Sequence, residues 1–93
     1  MSKPFTDNAS QSRYELDVEG QIVFADYRKE DDVVYIIHVE APKALRGKGA
    51  AGEFMRAMME HLRAENRKMF PICSYAAAWV GRNREFQDLV VGH

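Results

Sequence analysis

Two sets of residues in this 93-residue chain have the types and spacing that chemistry requires. In the first, His38 and Glu40 sit two apart in an apolar run, and Cys73 and Tyr75 sit two apart farther on. Residues two apart on a regular strand share a face, so His38 and Glu40 suit an acid/base pair. The plainer reading is a hydrogen-bonded strand histidine and a solvated strand-end glutamate. Cys73 is the single cysteine. Beside a histidine it is a nucleophile or proton donor, and among apolar neighbours an inert small hydrophobe. Tyr75 can protonate a departing thiolate or cap a helix over the core.

The second set is Leu45-Arg46-Gly47-Lys48-Gly49-Ala50-Ala51-Gly52, which follows Pro42 at the end of an apolar strand and opens a helix. The first N–H groups of a helix have no internal partner and carry the positive end of the dipole, so such a junction holds anions. Arg46 and Lys48 add charge there, and the glycines at 47, 49 and 52 let a phosphate approach the backbone. Charge along the chain agrees: residues 1–42 carry −5, residues 43–68 carry +4 and the remainder is neutral. An anionic ligand is drawn to the middle third.

Three loop patterns overlap here. Gly47 to Gly52 fits G-x-G-x-x-G, but Pro42 to Leu45 separate it from the strand and residues 69–74 hold no carboxylate. A P-loop needs Lys and Ser/Thr where Glu53 and Phe54 stand. The third pattern, Arg/Gln-x-x-Gly-x-Gly/Ala, is met by Arg46, Gly49 and Ala51. With His38-x-Glu40-x-Pro42 before it and Pro71-x-Cys73-Ser74 after it, the chain from about Arg13 to Val90 resembles the small single-domain GNAT-related N-acetyltransferases of the YjdJ type. The resemblance implies acetyl-CoA bound with its pyrophosphate on the N–H groups of about Arg46 to Ala51. Val39, Ala41, Leu45, Arg46, Gly47, Lys48, Gly49, Ala50 and Ala51 are the implied contacts, and the pantetheine arm runs between diverging parallel strands. It also implies an acetyl group moved to an amine, with Cys73, Glu40, His38 and Tyr75 as the catalytic candidates. Ala50 and Ala51 replace a common Ile-Gly, and the chain is too short for the N-terminal helices that form a substrate wall in longer relatives. The rival reading is a module that binds or senses acyl-CoA without turnover.

The elements that must position these groups follow from periodicity. Residues 1–11 are polar and read as a mobile tail before a single domain over 12–93. Alternation predicts strands over 12–18, 22–28 and 33–40, the last apolar on both faces and therefore covered on both sides or near an interface. Ala51, Phe54, Met55, Met58 and Leu62 recur at helical spacing, giving an amphipathic helix over about 50–65 that stops at Asn66. Residues 69–74 predict a fourth strand, placed at an edge or bulge by Pro71. A strand-helix-strand crossover makes it parallel to the strand at 33–40, which brings Cys73 toward His38 and Glu40. A short helix over 75–80, broken at Gly81, and a last turn over 84–90 complete an α+β, truncated GNAT-like fold: a three-stranded antiparallel meander, a crossover helix, a parallel fourth strand and short C-terminal helices. The Met55, Met58 and Met59 group and Trp79 read as packing, and Arg82 and Arg84 as a solvated pair.

Composition bounds the rest. At 46% hydrophobic and 29% charged residues this is an ordinary globular composition. One cysteine excludes a disulfide framework and a cysteine metal cluster, and no apolar run approaches a membrane span, so the expectation is a cytoplasmic protein, monomer or weak homodimer. A net charge of −1, with the central cations interleaved by Glu53, Glu60 and Glu65, argues against a nucleic-acid partner.

Overall fold

Alternating sequence becomes a twisted sheet with one buried face. In the computed structural model, which describes residues 5–91, the strands are β1 (Phe5–Asn8), β2 (Arg13–Val18), β3 (Gln21–Glu30), β4 (Val33–Glu40) and β5 (Lys68–Pro71). They lie side by side in chain order, antiparallel from β1 to β4 and parallel between β4 and β5. Two helices, α1 (Ala50–Ala64) and α2 (Ser74–Arg82), complete an α+β fold, with 3-10 turns at Ala9–Gln11, Lys43–Leu45 and Arg84–Leu89.

The core lies between the sheet and the helices. Tyr14, Leu16 and Val18 of β2, Val23, Ala25 and Tyr27 of β3, and Val34 and Ile36 of β4 point to one face and are buried there. α1 answers with Phe54, Met55, Met58, Met59 and Leu62, and each such side chain fully removed from water contributes about 1.5–3 kcal/mol. Trp79 of α2 stacks on Phe86 at 5.8 Å between ring centres, so the methionines and the tryptophan are packing residues, as their spacing indicates. α1 stops where expected. Asn66 is left-handed (φ 57°), its N–H donates to Arg63 O and the Arg67 N–H to Leu62 O, the paired bonds of a Schellman cap.

Three expectations change. Residues 5–11 do not hang as part of a tail: β1 adds a fourth antiparallel strand, with Phe5 opposite Leu16 and Asn8 opposite Arg13. Asp7 fastens it, accepting hydrogen bonds from Tyr27 Oη and, at 2.9 Å, from Lys29 Nζ. Residues 1–4 of the expected tail lie outside the described residues. Secondly, α2 runs through Gly81 to Arg82, because Asn83 Nδ2 donates to Trp79 O while Gln87 Nε2 donates to Val80 O and Gly81 O, satisfying carbonyls that a glycine break would expose. Finally, β4 is not regular. Tyr27 pairs with Ile36 but Asp26 pairs with His38, so Ile37 is an extra residue, a β-bulge.

Candidate functional site

The bulge decides which way the chemistry faces. Unbroken alternation from the buried Val34 and Ile36 would send His38 and Glu40 to the helix side. The extra residue reverses the phase. Val39 comes to lie opposite the buried Ala25 and packs against the core, whereas His38 and Glu40 lie opposite Asp26 and Phe24, on the face away from the helices. They do share a face: His38 Nε2 is 2.7 Å from Glu40 Oε1. An ionised carboxylate only accepts, so Nε2 carries the hydrogen. That bond, assisted by the Arg46 charge, holds the Glu40 carboxyl below its usual range. Glu40 is therefore a carboxylate near neutrality.

Cys73 does not join them. β5 ends opposite Ile36 at Pro71, the Ile72 and Cys73 N–H groups both donate to Ile36 O, and Cys73 packs against the core at the N-cap of α2. The expected approach of Cys73 to His38 and Glu40 supposed a regular strand, and the bulge puts the pair on the opposite face. Tyr75, in the first turn of α2, is raised in pKa by burial, so its phenol keeps its proton at neutral pH.

β5 leaves the sheet before β4 ends, so among the described residues no strand lies opposite the edge of β4 from Ile37 to Glu40 on that side. Beside this opening is a cleft of about 270 Å³ lined by Val39, Glu40, Ala41, Arg46, Ala51 and Tyr75. It brings together residues from the strand, the loop and α2 that the sequence reading names separately. The loop is pinned by Leu45, whose side chain is in the core and whose N–H donates to Pro42 O. Ala50 is also buried. Of these two, Leu45 works as an anchor with no donor toward the cleft, while Ala50 offers only its backbone.

Gly47 (φ 81°) and Gly49 (φ 74°) take the left-handed backbone that glycine adopts without strain, and Gly49 caps α1. The Arg46 and Lys48 N–H groups are engaged within the turn, donating to Lys43 O and Leu45 O. Among the described residues, the N–H groups of Gly47, Gly49, Ala50, Ala51 and Gly52 have no backbone acceptor, and the side chains of Arg46 and Lys48 are exposed beside them. The N–H groups without a backbone acceptor therefore run from Gly47 to Gly52 with Lys48 excepted. The glycine at 52, which the sequence reading names with 47 and 49, is in this set; the bulge at Ile37, between the Tyr27–Ile36 and Asp26–His38 pairs, is not visible in the sequence.

The described residues thus form a four-stranded meander whose last strand is bulged, a glycine loop capping a crossover helix, and a parallel strand that ends before its neighbour. The chain belongs to the GCN5-related N-acetyltransferase family, whose model matches residues 13–89. Its fold is similar to the solution NMR structure of a GCN5-like protein from Staphylococcus aureus, with a TM-score of 0.73 and 22% identity over 97% of this chain and 89% of that one. No curated protein matches the chain by sequence. No helix among the described residues is long and apolar enough to cross a membrane.

Proposed function

We propose that this protein transfers an acetyl group from acetyl-CoA to an amine. The observation that carries the reading is the junction of five N–H groups without a backbone acceptor and two cations with a cleft that ends at an ionised glutamate. Such a donor set fits a pyrophosphate: backbone N–H groups at a helix N-terminus, with Arg46 and Lys48 beside them. Val39, Ala41 and Ala51 give the cleft an apolar wall suited to the pantetheine arm. When bound, acetyl-CoA supplies a thioester whose carbonyl carbon forms a bond to the amine nitrogen as its bond to sulfur breaks.

The chain's own groups handle the protons. Glu40 accepts the proton that the amine loses, directly or through water, and His38 orients that carboxylate. Tyr75, protonated at neutral pH, returns a proton to the departing thiolate, with Cys73 as the second candidate. The unpaired edge of β4 offers backbone donors to the carbonyl oxygen. A covalent route, in which the Cys73 sulfur takes the acetyl group first, is separated from direct transfer by intact mass: an added acetyl group that vanishes in Cys73→Ser supports it, and full activity of Cys73→Ser ends it.

One observation favours a second reading, an acyl-CoA-binding module without turnover: the Glu40 side chain is 47% exposed rather than enclosed. Calorimetry with CoA, acetyl-CoA and ATP, followed by a thiol-release assay over a panel of amines, separates the possibilities. Binding of both CoA species with amine-dependent thiol release is the expected result. Preference for ATP would refute the assignment, and CoA binding without release for any amine would establish the module.

A further inference from the structure

The gap between β4 and β5 has a definite end. Going back along β4 from Glu40, the edge that faces no described strand stops at Ile36, whose carbonyl accepts hydrogen bonds from the Ile72 and Cys73 N–H groups at 2.9 and 3.0 Å. Those two bonds tie the strands together, so a chain lying along the edge goes no farther between them. Ile36 is fully buried and closes the way to the core. The way that remains leads to the face of the sheet away from the helices.

Apolar side chains stand along that way. Ile37 and Ile72 are two of the three large apolar side chains exposed among the described residues, at 45% and 53%. One follows Ile36 and the other its partner Pro71, the pair at which the strands part, so alternation turns both away from the buried face. Next along the same face, Tyr35 is opposite Phe70, both half-buried and with ring centres 5.5 Å apart. Residues two apart on a strand are separated by about 6.6 Å, so the two isoleucines and the two rings form one strip. The charged groups bordering it are already paired: His38 with Glu40, on which Arg46 also acts, Arg13 with Asp26, and Arg28, which lies over the Tyr35 ring, with Glu30. Such a strip takes hydrocarbon rather than a charged group.

We propose that this site holds butyryl- and hexanoyl-CoA more tightly than acetyl-CoA, the acyl chain lying on Ile37 and Ile72 with its far end toward Tyr35 and Phe70. The inference rests on the cleft being a CoA site, because continuity with that cleft makes the acyl group the occupant of the strip. An acetyl group ends where the strands part, and each added methylene continues over the isoleucines. Ile37 pairs with no residue of β3, so its side chain sets the donor preference without a part in the ladder.

Calorimetry of the full chain with CoA, acetyl-CoA, butyryl-CoA and hexanoyl-CoA, each below its micelle concentration and without an amine, tests this. Affinity is expected to rise with chain length, hexanoyl-CoA binding about tenfold more tightly than acetyl-CoA as the added methylenes are partly removed from water. The double variant Ile37→Ser, Ile72→Ser keeps acetyl-CoA affinity within about twofold of the parent and loses the gain from the longer chains, whereas Ile22→Ser, at the third exposed isoleucine, keeps the gain. Should the double variant fail to fold, each single variant loses part of the gain. Overturning results are equal or weaker binding of the longer chains, a gain retained in the double variant or lost equally in Ile22→Ser, or a gain that depends on protein concentration and marks a second copy as the cover of the strip. Acetyl-CoA binding without the gain refutes this inference alone; no binding of any CoA species refutes the acetyltransferase reading and this inference with it.

Discussion

Replacing Gly49 by alanine separates the backbone geometry of the loop from its proposed use. A Cβ at Gly49 meets nothing within 4 Å, so the substitution creates no clash inside the protein. Its cost is left-handed strain at φ 74°, about 1–2 kcal/mol, offset in part by an unfolded-state gain of about 0.4–1 kcal/mol. The net loss of about 1 kcal/mol lowers the melting temperature by about 4–8 °C in a domain of this size. Gly20 is a matched control: φ is 79°, nothing stands within 4 Å, and it lies in the β2–β3 turn outside the loop. Gly20→Ala and Gly49→Ala should melt together. Only Gly49→Ala should lose CoA affinity, because its Cβ enters the open space beside the N–H groups of Ala50 and Ala51. The expected loss is at least about tenfold, or about 1.4 kcal/mol, measured by calorimetry at a temperature where both variants are folded. CoA affinity in Gly49→Ala within about twofold of Gly20→Ala would refute the reasoning that places the anion on these amides.

Other perturbations test other parts of the molecule. Asp7→Ala removes both bonds that fasten β1 and leaves the buried Tyr27 hydroxyl unpaired; the expected loss is about 2–4 kcal/mol by urea unfolding at pH 7. Burial alone would raise the Asp7 pKa, but the bonds from Tyr27 and Lys29 hold it below the usual carboxylate range. Its contribution is therefore present above the ordinary carboxylate pKa and lost as pH falls through the lowered value, so the gap between wild type and Asp7→Ala should close in acid. A gap that persists unchanged at the lowest pH of folding would contradict that role. Glu40→Gln should lower kcat for acetyl transfer by about a hundredfold or more with CoA affinity unchanged, and equal kcat in the two proteins would remove Glu40 from the chemistry. Tyr75→Phe should leave the fold intact and lower kcat by about tenfold or more; unaltered turnover would pass the proton-donor role to Cys73 or solvent.

What the sequence revealed depended on how local the deciding forces are. The span of α1 and its stop at Asn66 were legible because helical spacing and a left-handed cap are written within a few adjacent residues. The parallel β4–β5 pair followed from a strand-helix-strand order, and Pro71 on the outermost strand from its missing N–H. β1 was not legible: Phe5-Thr6-Asp7-Asn8 is mostly polar, and its strand state depends on Asp7 reaching Tyr27 and Lys29, some 20 residues on. Gly81 within α2 was overridden for the same reason, by carbonyl partners outside the helix. At the candidate site, the residue types of the loop are those of the proposed anion cradle, but which amides lack a backbone acceptor depends on turn bonds at Arg46 and Lys48. The bulge escaped because β4 is apolar on both faces, and a pattern without alternation cannot show where its phase slips.

That slip gives residue 37 an unusual evolutionary arithmetic. Its side chain is 45% exposed and pairs with no residue of β3, so many substitutions there should be tolerated. Regular pairing through it is another matter. If the extra residue were taken into the ladder, Val39 would turn to solvent and the charged end of Glu40 toward the core, where an unpaired carboxylate is strongly disfavoured. Removing the residue altogether leaves His38, Val39 and Glu40 in phase with Ile36, on the faces they already occupy. Lineages of this fold can therefore be expected to vary freely in what they place at position 37, or to lack it, while keeping the phase of Val39 and Glu40.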